Sequence, residues 1–299
     1  MKTFTTLTII AATLGGVVSL AAAPLNPQHV STRAHWYMHA DAAALRSSEI
    51  GGLLMETMDQ RHGVQMRAFA RMFSFNPMED LTAITVYGRD DQGVVLVHAK
   101  MDPDHLTDLV AAGDGYQSKN HEGVTVHSWM DKGKRQTGAI VNENLLILSE
   151  QAELVTHALD VLAGREDSIG EDVILPGDVQ APIVIGVADL SQMEAIAPQA
   201  AFLREAKSMS MTLGERAGRL EASMQLVLAD SAKAQQIAKL IEGMIALVQL
   251  AQPETAAMGI EAEVSADQDT GRIGVTLSVA VEEAVKHIES EIAKQADAP

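Results

Sequence analysis

The stretches Met38-His39-Ala40-Asp41-Ala42-Ala43 and Gly186-Val187-Ala188-Asp189-Leu190-Ser191 decide how this chain is read. Each is an apolar strand that ends in Ala-Asp and turns into a helix. Each is followed by a glycine-bounded hairpin, Gly88-Arg89-Asp90-Asp91-Gln92-Gly93 in one case and Gly214-Glu215-Arg216-Ala217-Gly218 in the other. The returning strands run into Lys100-Met101-Asp102-Pro103 and Leu228-Ala229-Asp230-Ser231, where a second helix begins. A burial pattern stated twice at this length specifies an internal repeat. Asp41, Asp102, Asp189 and Asp230 all stand at strand-to-helix corners, where a carboxylate accepts from the free N–H groups of a first helical turn. That position explains the residue type without any acid–base role.

Alternation and β-branched runs predict further strands over residues 81–87, 94–99, 124–129, 137–141, 145–148, 183–187, 208–213, 220–228, 260–265 and 273–279. Helical stretches are expected at 41–59, 103–112, 150–163, 190–206, 231–250 and 281–294. In the opening strand Trp36, Met38 and Ala40 alternate with His35, Tyr37 and His39, which predicts a buried face and a solvent-facing row of histidines. The expected class is α+β: two tandem ferredoxin-like repeats of βαββαβ type, largely antiparallel, with helices on one face of each sheet. The first repeat covers residues 24–163, an acidic connector 164–181, and the second repeat 182–299.

The pattern resembles that of a group of exported bacterial proteins that also open with a strand–Asp–helix unit after a signal peptide and carry duplicated α+β halves. The resemblance implies architecture and brings across no catalytic residue.

Residues 1–23 read as a secretory signal, with Lys2 as the positive start, an apolar run over 7–20, and small-residue cleavage sites at Ser19-Leu20-Ala21 and Ala21-Ala22-Ala23. The run is short for a membrane span, which needs about 20 residues. An exported, periplasmic or secreted location follows, with no membrane span left after cleavage. The sequence has no cysteine, which removes disulfides, thiol catalysis and thiolate metal sites together. The formal charge of −18 repels nucleic acid and anionic lipid, and no basic stripe offsets it. Aromatic residues make up 3% of the chain, too few for a carbohydrate- or base-stacking platform.

No G-x-S-x-G elbow, H-E-x-x-H, phosphate loop or post-strand G-x-G-x-x-G occurs. His35 and His39 have the spacing of a helical metal pair, but along a strand they stand about 13 Å apart. The residues that come nearest to a metal site are Tyr37, His39 and Asp41, and neither a metal nor a cofactor is expected. The fifteen methionines are scattered along apolar faces, where thioethers fill core gaps. Asp267-Gln268-Asp269-Thr270-Gly271 opens like a calcium loop but lacks the closing Glu, and a polar hairpin turn accounts for it.

One segment departs from the duplication. Residues 60–80 have no counterpart in the second half and hold Arg61, Arg67 and Arg71 with Phe69, Phe73 and Phe75, three of the five phenylalanines. A basic, aromatic helix in an acidic chain is the candidate contact for a partner, or a lid over a groove. The expected function is therefore a non-catalytic exported protein of the cell envelope that binds or supports. Its partner would be an envelope protein or a small ligand; the alternative is a periplasmic metal or small-ligand binder.

Overall fold

In a computed structural model the chain is described over residues 23–170, 182–192, 203–251 and 258–296. The strands are β1 (Trp36–Asp41), β2 (Leu81–Arg89), β3 (Gln92–Ala99), β4 (Gln117–His121), β5 (Val124–Asp131), β6 (Lys134–Asn142), β7 (Leu145–Ser149), β8 (Val184–Asp189), β9 (Ala206–Arg216), β10 (Arg219–Leu228), β11 (Glu261–Asp267) and β12 (Arg272–Ala280). The helices are α1 (Ala42–Ser47), α2 (Glu49–Phe73), α3 (Pro103–Ala111), α4 (Ala152–Leu162), α5 (Ala234–Ala251) and α6 (Val281–Ala296). None is long and apolar enough to cross a membrane, among the described residues.

All twelve strands join one antiparallel sheet in the order β11-β12-β10-β9-β8-β1-β2-β3-β7-β6-β5-β4. The two halves meet at the β1–β8 pair, in the register Tyr37↔Val187 and His39↔Ile185. Outward from that seam, one half runs β1-β2-β3-β7-β6 and the other β8-β9-β10-β12-β11; the first half adds the β5–β4 hairpin at its edge. The ferredoxin-like plait expected from the sequence is not what these strands form. A split βαβ leaves room for a strand between the two that its helix connects, whereas here β1 lies directly beside β2 across the whole of α1 and α2.

The hairpins follow from local sequence. Gly88 faces Gly93 across the first hairpin. A Cβ on Gly88 would collide with the carbonyl of Gln92, so only glycine lets the strands close there. Asp90 takes the left-handed turn position at φ 49°, which aspartate tolerates better than most residues. The corner aspartates act as caps: Asp41 accepts from Ala44 N–H at 2.8 Å, Asp102 from His105 N–H at 3.1 Å, Asp189 from Ser191 N–H at 3.0 Å and Asp230 from Ala232 N–H at 3.1 Å. The Asp267 loop is likewise a hairpin turn, closed by bonds from Asp269 N–H and Thr270 to that carboxylate.

Register decides which face each residue serves. Tyr37, Tyr87, Val94, Leu96, Val126, Ala139 and Ile147 share one face, where α4 supplies Val155, Ala158 and Leu159. Val97, Leu146, Ile140 and Gly138 share the other, which α3 covers. That second face continues into the other half, where Met209, Leu226, Ile273 and Val275 pack against Ile237 and Ile241 of α5. A third cluster joins Ile50 of α2 to Val279 and to Ala284 of α6. Helices on a single face were expected; α4 lies on the opposite one. The reason is visible in β3 and β7, whose consecutive apolar residues Val94–Val97 and Leu145–Leu148 need cover on both sides.

Three expectations change in detail. The first helix does not end at 59 as expected: α2 runs unbroken from Glu49 to Phe73. The strand β4, five polar or charged residues, carries no apolar alternation and was not predicted. Of the helix expected over 190–206, the described parts are 3-10 turns at Leu190–Gln192 and at 203–205, and Ala206 already belongs to β9. Residues 193–202 and most of the acidic connector (171–181) lie outside the described residues.

Candidate functional site

The residues of β1 come first, because the histidine row was expected to face solvent. The structure reverses this. Met38 is 50% exposed, while Tyr37, His39 and Asp41 are buried. The cause is hydrogen bonding: His39 Nδ1 accepts from Thr85 Oγ1 at 2.9 Å, and both His39 and Asp41 bind the backbone of Ala23. Burial lowers the His39 pKa below its ordinary value and pushes that of Tyr37 up to about 12. Each group is thus engaged in the fold. Among the described residues no three His, Asp or Glu side chains gather closely enough to hold a metal ion.

The second half of α2 behaves differently. Ser74 closes the helix in the left-handed conformation at φ 49° and turns the chain back, so that Phe75 meets Phe69 edge-on with centroids 6.1 Å apart. Phe69 and Phe73, one helical turn apart, stack at 4.3 Å. His105 of α3 donates from Nε2 to the Met72 carbonyl at 2.8 Å and ties this helix end down. The arginines point elsewhere: Arg67 pairs with Asp59 at 3.2 Å, both side chains largely in water, and Arg61 and Arg71 are exposed.

Beneath the three rings lies a pocket of about 300 Å³. Phe69, Phe73 and Phe75 form one wall, Met101, Leu106 and Val110 the second, and the sheet residues Val97, Trp129, Gly138, Ile140, Leu146 and Leu148 the floor. His127 completes the lining. Its Nδ1 bonds the Tyr116 hydroxyl at 3.0 Å, and burial lowers its pKa below the ordinary value, which favours the neutral imidazole. No nitrogen or oxygen atom is exposed on the pocket wall. Such a surface offers dispersion and desolvation to a ligand but no hydrogen bond and no charge.

The structure therefore brings together Phe69, Phe73 and Phe75 and leaves Arg61, Arg67 and Arg71 outside. It also recruits α3 and the floor of β5, β6 and β7, which sequence reasoning did not name. A signal for the floor exists in β7, where Leu145-Leu146-Ile147-Leu148 is apolar at every position and so announces cover on both faces.

No family model matches the sequence, and no curated protein does. Among solved structures the chain is similar to three crystal forms of TP0453, at 12% identity in each case. Form III aligns with a TM-score of 0.48 over 89% of this chain and 99% of that one. Form IV gives 0.48 over 91% and 99%, and form I gives 0.44 over 90% and 98%. These likenesses name no chemistry.

Proposed function

We propose that this is an exported, non-catalytic binding protein of the cell envelope that holds an apolar small molecule beneath the phenylalanines at the end of α2. The observation that carries the reading is the pocket wall, apolar at every exposed atom and large enough for a compact ligand. Export rests on the signal-like start of the chain, cut at the Ser19-Leu20-Ala21 site so that Ala23 stays to bond His39 and Asp41, and the lack of catalytic motifs supports a binding role. The matching strand order outward from the β1–β8 seam supports reading the halves as copies of one unit. Metal binding through Tyr37, His39 and Asp41 finds no support, since hydrogen bonds within the fold use His39 and Asp41.

Uncharged N-phenyl-1-naphthylamine tests the reading by its fluorescence in an apolar site. Saturable binding is expected, weakened about tenfold or more by Leu146→Phe, which fills the floor without adding polarity. Absence of saturable binding, or binding indifferent to Leu146→Phe, would refute the proposed site.

A further inference from the structure

On the opposite face of the sheet, beside α4, lies a second hollow of about 420 Å³ with a different chemistry. Its wall combines Arg33, Arg89, His157 and Tyr87 with the apolar Val94 and Leu154. Arg33 donates to Glu166 at 2.7 Å. Ser31 Oγ accepts from Arg33 N–H and bonds His157 Nε2 at 2.8 Å. The Arg89 guanidinium makes no hydrogen bond or ion pair among the described residues. Both guanidiniums stand close enough to His157 to oppose its protonation, after burial itself. Two arginines thus converge here in a chain of formal charge −18.

The hollow is also incomplete. Tyr87 is 3% exposed, and its hydroxyl is sealed from solvent with no hydrogen-bond partner. His35 Nδ1, on the same wall, is in the same state. Buried polar groups in native proteins nearly always have partners, so two orphans beside one hollow point to partners that the described residues do not supply. Among the described residues the rim carboxylates Asp90 and Glu153 make no bond to either arginine, so Arg89 carries an unmet charge while Arg33 shares its own with Glu166. A guanidinium fork matches the two oxygens of a carboxylate or phosphate. The hollow exceeds a bare ion in size, and Val94, Leu154 and the Tyr87 ring provide an apolar side for an organic body.

We propose that this hollow is a second ligand site, which takes a small organic molecule with an oxyanion head held by Arg89 and Arg33 and completed, once a small shift of the wall opens the sealed group, by a bond from the Tyr87 hydroxyl. It is independent of the apolar pocket, from which the sheet separates it.

Isothermal titration with benzoate and with phenyl phosphate, at matched ionic strength, tests the site, with benzyl alcohol as the neutral counterpart. The anions should bind and benzyl alcohol should not, and the stronger of the two anions identifies the head group. Arg89→Gln should weaken anion binding about ten- to a hundredfold, as for a lost charge-assisted contact, and Arg89→Lys should restore part of it. Tyr87→Phe should weaken anion binding too, yet leave the Tm of the free protein unchanged or raised, because no bond is lost. Binding of neither anion, equal binding of benzyl alcohol, or anion binding untouched by Arg89→Gln would overturn the proposal. A clear fall in Tm for Tyr87→Phe would show that the hydroxyl already has a structural partner and would remove it from the site. Leu146→Phe, which blocks the apolar pocket, should leave anion binding intact.

Discussion

His39 and Asp41, two positions apart on β1, grip the two polar atoms of one backbone residue: His39 Nε2 donates to the Ala23 carbonyl at 2.9 Å, and the Asp41 carboxylate accepts from Ala23 N–H at 2.8 Å. The second Asp41 oxygen caps α1 through Ala44 N–H. One buried carboxylate therefore fixes both the segment that leads into the sheet and the helix that leaves it. Asp41→Ala should cost about 1–3 kcal/mol, the sum of a lost cap and a part-buried N–H left unpaired. Urea denaturation checks this. A loss below about 0.5 kcal/mol would mean that the Ala23 contact contributes nothing to the folded state.

Buried histidines make stability depend on pH. Burial lowers the pKa of His29, His39, His127 and His157, and burial together with the neighbouring His29 and His39 brings His98 down to about 4. The unfolded chain binds protons below about pH 6.5 that the folded chain refuses, so stability rises with pH across this range. The contribution of His98 is complete above about pH 6.5, declines on acidification and is gone below about pH 4. Relief of charge repulsion in so acidic a chain acts in the opposite sense. The clean measurement is therefore a comparison: between pH 7.5 and 4.5 the Tm of His98→Gln should fall less than that of the natural chain. An equal fall would show that His98 does not carry the effect.

The sequence marked most of the strands because their alternation and glycine turns are local properties. Asp41, Asp102, Asp189 and Asp230 were legible for the same reason, since a cap depends only on its own corner. The side on which β1 is buried was not legible. Trp36, Met38 and Ala40 are the more apolar row, yet His39 is the buried residue because Thr85 and Ala23, distant in sequence, satisfy both its nitrogens. The same limit applies to the candidate site. Phe69, Phe73 and Phe75 stood out by composition, whereas Leu106, Ile140 and Leu146 join them only through strand register and helix placement. The helix expected to end at residue 59 runs on to Phe73, since no proline interrupts the chain before Pro77.

Close backbone approach makes Gly88 a sensitive position. The Gln92 carbonyl occupies the space that a Cβ would need, and the neighbouring His35 N–H already donates to the Gly88 carbonyl at 2.8 Å. Gly88→Ala must open the β2–β3 hairpin and should cost about 1–3 kcal/mol. Gly52, where a Cβ meets nothing within 4 Å, is the control on a helix. Gly52→Ala should be neutral or stabilising by up to about 1 kcal/mol. Thermal melts of the two variants should move in opposite directions, and parallel shifts would contradict the hairpin geometry.

The end of α2 separates two kinds of residue that composition alone had grouped. Arg67 and Arg71 lie in water, and an exposed pair such as Arg67–Asp59 contributes at most about 1 kcal/mol. Changing both arginines to Glu should lower the Tm only slightly and leave N-phenyl-1-naphthylamine affinity within about twofold. Phe73→Ala removes a ring that both stacks on Phe69 and walls the pocket. Because Phe73 is only partly buried, the stability loss should stay below the roughly 3–5 kcal/mol of a fully buried phenylalanine, while probe affinity should fall about tenfold or more. His105→Ala should act on the same wall from a distance. It frees the Met72 carbonyl, loosens the helix end and should speed probe release in stopped-flow measurements with little change in the association rate. If the arginine variants were instead the ones to abolish probe binding, the rings would not be the lid, and the partner-binding reading of this helix would replace it.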